Sequence, residues 1–244
     1  TDMQTESHQN QPQQETGEIG ETKPAIPQEV RIWDIPTRLF HWSLISLVVV
    51  SCYTGLTGGF YEMDWHMKSG YGILTLVLFR ILWGIIGTHY AQFREFLPGP
   101  SQIKRHLTTA LKKPYQRAGH NPLGALNIFV ILITLLVQTI TGLFANDDIF
   151  TEGPLAGKVS YETSRWLTGI HEINIWVLAG LVTMHLLAIA LHQFHFRDNL
   201  VKAMLTGKKK AKAIQVPLTL FREIILGAVT FACSALVVYL VITY

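Results

Sequence analysis

The chain has little charge and almost no cysteine. Only 15% of its 244 residues are charged, whereas ordinary soluble domains carry about 25%. The two cysteines, Cys52 and Cys233, both lie inside apolar runs, and no CxxC pair occurs. This excludes a disulfide framework and a metal site built on that motif.

Several enzyme signatures are also missing. The sequence contains no glycine-rich nucleotide-binding loop, no dinucleotide fingerprint and no hydrolase constellation. The first 27 residues are polar, rich in Gln and Glu, and have no apolar core. We therefore predict a disordered cytoplasmic tail there rather than a signal peptide.

Apolar residues make up 49% of the chain and are gathered into long runs. Five runs, at residues 39–60, 66–88, 123–145, 168–194 and 218–244, are long enough to cross an apolar layer of about 30 Å as helices. They must be helical because lipid offers no partner for a free backbone amide. We predict an all-α integral membrane protein, with a tail at 1–29, a four-helix transmembrane bundle at 30–215 and a fifth transmembrane helix at 216–244.

Positive charge is concentrated on one side of these spans. Fifteen Lys and Arg residues precede span one, or lie between spans two and three or between spans four and five. The opposite loops hold only Lys158 and Arg165, together with six acidic residues. The positive-inside rule puts the N-terminus in the cytoplasm and the C-terminus in the periplasm. The basic loops are therefore interpreted as topology signals, and no nucleic-acid partner is expected.

Two histidines share the fourth span, and ionisable residues inside spans are functional candidates. His171 and His185 are fourteen residues apart. On a helix they lie on nearly one face, about 21 Å apart along the axis. That spacing is suited to two ligand levels stacked across a membrane.

Each level needs a second ligand, and depth suggests which histidine supplies it. His41 lies at the cytoplasmic start of the first span, and His66 lies at the outer start of the second. Depth therefore pairs His41 with His185 and His66 with His171. Imidazole is a common axial ligand of haem iron, and two of them saturate it. The pairs predict two b-type haems, bound without covalent attachment because no CxxCH occurs.

Other interpretations of these histidines stay open. A loose pair could bind zinc or relay protons in a haem-free transporter. His192, seven residues after His185, could replace it as a ligand or bond a propionate. His195 follows at the headgroup level. His8, in the tail, and a group of loop histidines are expected to be solvated; the loop group comprises His89, His106 and His120.

Arg80 is a charge inside the second span. It follows His66 by fourteen residues and so reaches the depth of His185. We predict that it pairs with a propionate of the inner haem, with snorkelling to the cytoplasmic surface as the alternative. Glycines near the histidines would allow close approach of a porphyrin or another backbone: Gly55, Gly58, Gly59, Gly70 and Gly72.

The motifs along residues 30–208 are similar to those of a known family. They read RIWDIPTRLFHW, WHMKSGYGILTLVLFRILWG, GHNPLG, TGLFANDD, EGPLAG, TGIHEINIWVLAGLVTMHL and FRDNLVKAMLTGK. The chain resembles the bacterial cytochrome b561 family, in the branch like the b-type subunit of nickel–iron hydrogenases. The resemblance implies a four-helix core with two b-type haems. It also implies axial ligands at His41, His66, His171 and His185.

The resemblance further implies electron exchange with quinone in the inner membrane and with a redox partner. We expect a carrier between the quinone pool and a periplasmic protein, such as a c-type cytochrome or a hydrogenase-like enzyme. The alternatives are a membrane anchor subunit of a larger oxidoreductase and a free-standing superoxide:quinone oxidoreductase. No catalytic residue is assigned, and whether the chain is itself an enzyme stays open. The fifth span could pack against a partner subunit or anchor the C-terminus.

Overall fold

The computed structural model describes residues 28–96, 99, 122–149, 151–211 and 220–244. Its helices, in chain order, are α1 Ile35–Thr57, α2 Phe60–Ile86, α3 Phe93–Phe96, α4 Pro122–Leu143, α5 Tyr161–Phe194, α6 Leu200–Thr206 and α7 Leu220–Thr243. Single turns of 3₁₀ helix occur at His89–Ala91 and Ala156–Lys158. Two short strands, β1 Gln28–Arg31 and β2 Lys208–Ala211, complete the described elements.

Five of these helices, α1, α2, α4, α5 and α7, are long and apolar enough to cross a membrane. This confirms the five predicted spans and the all-α integral membrane class. Two helices begin six or seven residues earlier than predicted, α2 at Phe60 rather than at residue 66 and α5 at Tyr161 rather than at residue 168. The apolar run marks only the part in lipid, and α5, about 51 Å long, extends beyond an apolar layer of about 30 Å.

The start of α1 is tied to the end of α2 through Asp34. This buried carboxylate caps α1 by accepting a hydrogen bond from the Thr37 backbone N–H at 2.6 Å. It also accepts from the Trp83 indole N–H at 3.0 Å and from the Thr88 hydroxyl. Pro36 lies in the first turn of α1, where its missing N–H costs nothing. The start of α1 and the end of α2 are therefore joined.

The same end of the bundle also carries a small antiparallel sheet that the apolar pattern does not predict. Strand β1, which precedes α1, pairs with the lysine-rich β2, which follows α6, so that Arg31 lies opposite Lys208. The Ile32 and Trp33 N–H groups both donate to the Gly207 carbonyl. The predicted tail up to residue 27 lies outside the described residues.

The packing centre of the bundle is α2. It contacts α1, α4 and α7, and α4 in turn packs against α5. Val77 and Trp83 of α2 are completely buried, one in each of two neighbouring apolar clusters. Few residues of α1 and α5 are buried, as expected for helices that face lipid or border a cofactor.

The fifth spanning helix, α7, packs against its own bundle. At its start the buried Glu223 forms an ion pair with Arg31 at 2.6 Å and accepts the Ile35 N–H at 2.7 Å. Further along, Phe231 contacts Phe79 with ring centroids 6.2 Å apart. Small residues face the bundle and allow this close approach: Gly227, Thr230 and Ser234.

Candidate functional site

Two histidines meet near the end of the bundle at which α1 ends and α2 begins. The imidazole rings of His66 on α2 and His171 on α5 have centroids 6.0 Å apart and planes at 90°. His66 lies well inside α2 rather than at its start, because the helix begins at Phe60. The structure thus brings together the two residues that depth alone had paired.

The His66 ring is held from behind by α1. Its Nδ1 lies 2.8 Å from the Ser51 carbonyl oxygen and 3.3 Å from the Ser51 hydroxyl. A carbonyl only accepts hydrogen bonds, so Nδ1 carries the proton. Gly55 makes room for the ring, since a Cβ on that residue would lie 2.6 Å from Nδ1.

The His171 ring is held in the same way by α4. Its Nδ1 donates to the Gln138 carbonyl oxygen at 2.8 Å, with the Thr141 hydroxyl 3.4 Å away. A Cβ on Gly142 would lie 2.9 Å from the ring. The Gln138 side chain donates to the His171 carbonyl at 3.1 Å and accepts from Asn174 at 2.7 Å. Helix α5 is therefore locked to α4 at the level of the ring.

These contacts leave both histidines with the chemistry of metal ligands. A neutral imidazole with its proton on Nδ1 has its lone pair on Nε2, and such a hydrogen bond orients the ring and raises its basicity. Two imidazoles bound to one metal at about 2 Å each would have centroids about 6 Å apart. Across the described ranges no group of three or more His, Cys, Asp or Glu residues could hold a metal. A haem iron needs only two protein ligands.

The second pair lies towards the other end of the bundle. His41 on α1 and His185 on α5 are close enough to interact electrostatically. The Nδ1 of His41 is buried and has no hydrogen-bond partner among the described residues. Two further donors, one turn earlier on α1, are also buried without a hydrogen-bond partner among the described residues: the Thr37 hydroxyl and the Arg38 Nε. Buried polar atoms of this kind suit a bound polar group or ordered water.

Arg80 lies towards the same end of the bundle as His41 and is 4% exposed. Its guanidinium carbon lies 4.9 Å from the centre of the Phe93 ring. Gly84, one turn later on α2, makes room for that ring, because a Cβ there would lie 2.1 Å from it. Arg80 is also within electrostatic range of Asp34. Its side chain is thus enclosed rather than extended to the surface, and its pairing with a propionate stays a prediction.

The remaining histidines fall into different surroundings. His192 lies 3.9 Å from Asp198, which also binds Lys209 at 2.6 Å. His89 lies 3.5 Å from Glu95, and the exposed His195 contacts the Phe196 ring. His8, His106 and His120 lie outside the described residues.

Sequence reasoning selected the histidines but missed their supports. Gly55 was singled out for close approach, but Gly142 was not. The acceptors on Ser51 and Gln138 are backbone atoms, which no residue pattern reveals. A signal was nevertheless present, because Thr-Gly-Leu occurs at 54–56 and again at 141–143, near the ends of α1 and α4.

Comparison with known proteins agrees with this geometry. The profile of the prokaryotic cytochrome b561 family matches residues 32–207. A probable Ni/Fe-hydrogenase B-type cytochrome subunit of Azotobacter chroococcum is 27% identical, over 81% of this chain and 95% of its own length. A probable Ni/Fe-hydrogenase 1 B-type cytochrome subunit of Escherichia coli is 22% identical, over 74% of this chain and 91% of its own. No solved structure gives a significant match.

The matched region contains both histidine pairs and ends before α7. Five apolar helices of spanning length agree with a multi-pass membrane protein. The chain belongs to the prokaryotic cytochrome b561 family, and it is a membrane b-type cytochrome of bacterial electron transfer.

Proposed function

We propose that the protein carries two b-type haems and transfers electrons between the quinone pool and a redox protein on the periplasmic side. The observation that carries this proposal is the His66–His171 pair, with ring centroids 6.0 Å apart and each Nδ1 bonded to a backbone carbonyl. The electrostatic interaction between His41 and His185 supports an inner haem. Haem, when bound, supplies one-electron exchange at its iron.

The protein's own residues would hold the haems and shield them from water. Each pair of imidazoles would hold one haem and saturate its iron, which favours electron transfer over oxygen binding. Buried apolar side chains between the two levels keep water out; they include Ile73, Val77, Leu135 and Leu178. Arg80 is proposed to balance a propionate of the inner haem, because guanidinium matches carboxylate bidentately.

The proposed orientation follows from charge. The basic segments flank the ends that carry His41 and His185, which puts the inner haem on the cytoplasmic side. The His66–His171 level then lies near the periplasm. Exposed aromatic residues surround that level, as expected at a membrane interface: Tyr53, Phe60, Tyr61, Trp65, Tyr161 and Trp166.

The identity of the partner is proposed from the relatives. Several are described as cytochrome subunits of Ni/Fe hydrogenases. We propose a hydrogenase-like enzyme or a c-type cytochrome, docking on the periplasmic surface. Exposed acids there, Asp147, Asp148 and Glu152, favour a basic partner, although Asp148 is already paired with Arg165 at 3.0 Å.

The test is haem content in detergent-purified protein. Wild type should give reduced-minus-oxidised spectra of b-type haem and two haems per chain, with about one in His171→Ala and in His66→Ala. The matched control is His195→Ala, at an exposed histidine on the same chain segment, which should keep two. Wild type without haem under adequate haem supply would overturn the proposal, and metal or proton roles for the same histidines would replace it.

A second measurement distinguishes the forms of this function. Co-purification of a stoichiometric partner from native membranes would favour the anchor subunit of a larger oxidoreductase. Superoxide-driven reduction of quinone by the purified chain alone would favour the free-standing oxidoreductase. Quinone reduction that requires an added periplasmic protein supports the proposed carrier.

A further inference from the structure

The two outer histidines rest against matching features of two different helices. On α1, the Ser51 carbonyl accepts from His66, and Gly55 faces the ring. The Thr54 hydroxyl donates to the Val50 carbonyl at 2.7 Å and makes a longer second contact, at 3.3 Å, with the Ser51 carbonyl. We call this feature, which consists of residues 51, 54 and 55, the α1 cradle. Its three parts come from a single turn of helix.

On α4 the same arrangement recurs as the α4 cradle, which consists of residues 138, 141 and 142. The Gln138 carbonyl accepts from His171, and Gly142 faces the ring. The Thr141 hydroxyl donates to the Val137 carbonyl at 2.7 Å and makes a longer second contact, at 3.1 Å, with the Gln138 carbonyl. The carbonyl, the threonine and the glycine have the same spacing in both cradles. The two helix pairs, α1 with α2 and α4 with α5, therefore hold their histidine rings by the same arrangement.

Helix geometry explains why each cradle contains glycine. A side chain on a helix tilts towards the N-terminus and covers the turn before its own Cα. The residue at position i+4 therefore shields the carbonyl of residue i from the side. Without a Cβ at Gly55 or Gly142, the carbonyl of Ser51 or Gln138 is open to an imidazole from the neighbouring helix. An added Cβ would come within 2.6 Å or 2.9 Å of the ring.

We propose that Gly55 and Gly142 are positioning residues that fix the two outer imidazoles as Nδ1–H tautomers, with Nε2 of each free to bind the iron of the outer haem. This inference rests on the proposed function, because it concerns ligands of that haem. The inner level differs, since the buried Nδ1 of His41 has no hydrogen-bond partner within the described ranges. Substitution in either cradle should therefore act on the outer haem selectively.

The first test compares Gly55→Ala and Gly142→Ala with Gly180→Ala. Gly180 lies on α5 between the two ligand levels, but a Cβ there would meet nothing within 4 Å. In each cradle variant we expect haem content to fall from two per chain towards one, or one of the two low-spin ferric EPR signals to change. Gly180→Ala should match wild type in both measurements.

A milder pair of variants keeps the test decisive if the alanine variants lose both haems. Thr141→Val removes the hydroxyl whose second, longer contact is with the Gln138 carbonyl. That carbonyl then bonds more strongly to His171, so the midpoint potential of the outer haem should fall slightly. The control is Thr139→Val on the same helix, because the Thr139 hydroxyl bonds only Leu135 and Leu136 carbonyls among its described contacts. Potentiometric titration measures the midpoint potentials of both variants.

The outcomes separate this inference from the proposed function. Wild type without haem would remove both. Wild type with two haems, together with cradle variants and Thr141→Val that keep wild-type content, EPR signals and potentials, would overturn the positioning role alone. Loss of both haems in the alanine variants with no change in Thr141→Val would also overturn it, because the glycines would then serve folding only.

Discussion

His66 and His171 lie on different helices, yet each ring is held by the helix that precedes its own in the chain, and their centroids are 6.0 Å apart. The hydrogen-bonded backbone carbonyls, from Ser51 and Gln138, are part of helices that must be intact for the pair to form. The meeting of the two rings is thus a product of the packing of four helices.

We expect the outer haem to have a lower midpoint potential than the inner haem. A hydrogen bond from Nδ1 to a carbonyl makes the imidazole a stronger donor, which stabilises ferric iron. The outer level has two such bonds, whereas the Nδ1 of His41 has none among the described residues. Potentiometric titration of wild type and of His41→Ala measures this. The variant should retain the lower component; retention of the higher one would contradict the assignment.

Arg80→Gln should lower the potential of the inner haem and leave the outer one unchanged. Removal of a buried positive charge disfavours the reduced form, whose net charge is more negative. Arg80→Lys should give a smaller shift because it keeps the charge. The control is Arg94→Gln, at an exposed side chain paired with Glu95. Equal shifts of both haems would argue against the proposed propionate pairing.

Asp34→Ala should destabilise the protein by at least about 2 kcal/mol. It removes an N-cap and leaves the Trp83 indole and the Thr88 hydroxyl without their acceptor. Thermal denaturation in detergent measures the effect, and Asp34→Asn, which keeps one acceptor oxygen, should lie between Asp34→Ala and wild type. A wild-type melting temperature for Asp34→Ala would show that the cap is dispensable.

Glu223→Ala should loosen α7 without emptying the haem sites. The change leaves Arg31 and the Ile35 N–H without this acceptor, at a cost of about 1–3 kcal/mol. The neighbouring exposed residue provides the control variant, Arg222→Ala. We expect a lower melting temperature with two haems per chain retained. Loss of haem would mean that α7 supports the cofactor sites directly.

Thiol labelling tests the proposed orientation. In a chain whose Cys52 and Cys233 are replaced by serine, Glu152→Cys should react with an impermeant maleimide in intact spheroplasts. Lys208→Cys should react only after lysis. Both positions are exposed. The reverse pattern would place the N-terminus in the periplasm.

Apolar run length and histidine spacing were enough to predict five spanning helices and to select the residues that the structure brings together. The helix starts at Phe60 and Tyr161 were missed because both helices extend past their apolar runs into polar sequence. Strands β1 and β2 were missed because each has only four residues, mostly polar or charged, and shows no apolar alternation. The cradles were not predicted because they depend on backbone acceptors. The docking of α7 was not predicted because it depends on Glu223, whose partner Arg31 lies far away in the chain.

Helix α5 carries one predicted ligand for each level, His171 and His185, on a single uninterrupted helix. The separation of the two proposed haems is therefore set mainly by the rise of one continuous helix. Small movements of the other helices change that separation little. The tunnelling distance, and with it the rate of internal electron exchange, should remain constant when a partner docks or departs at the surface.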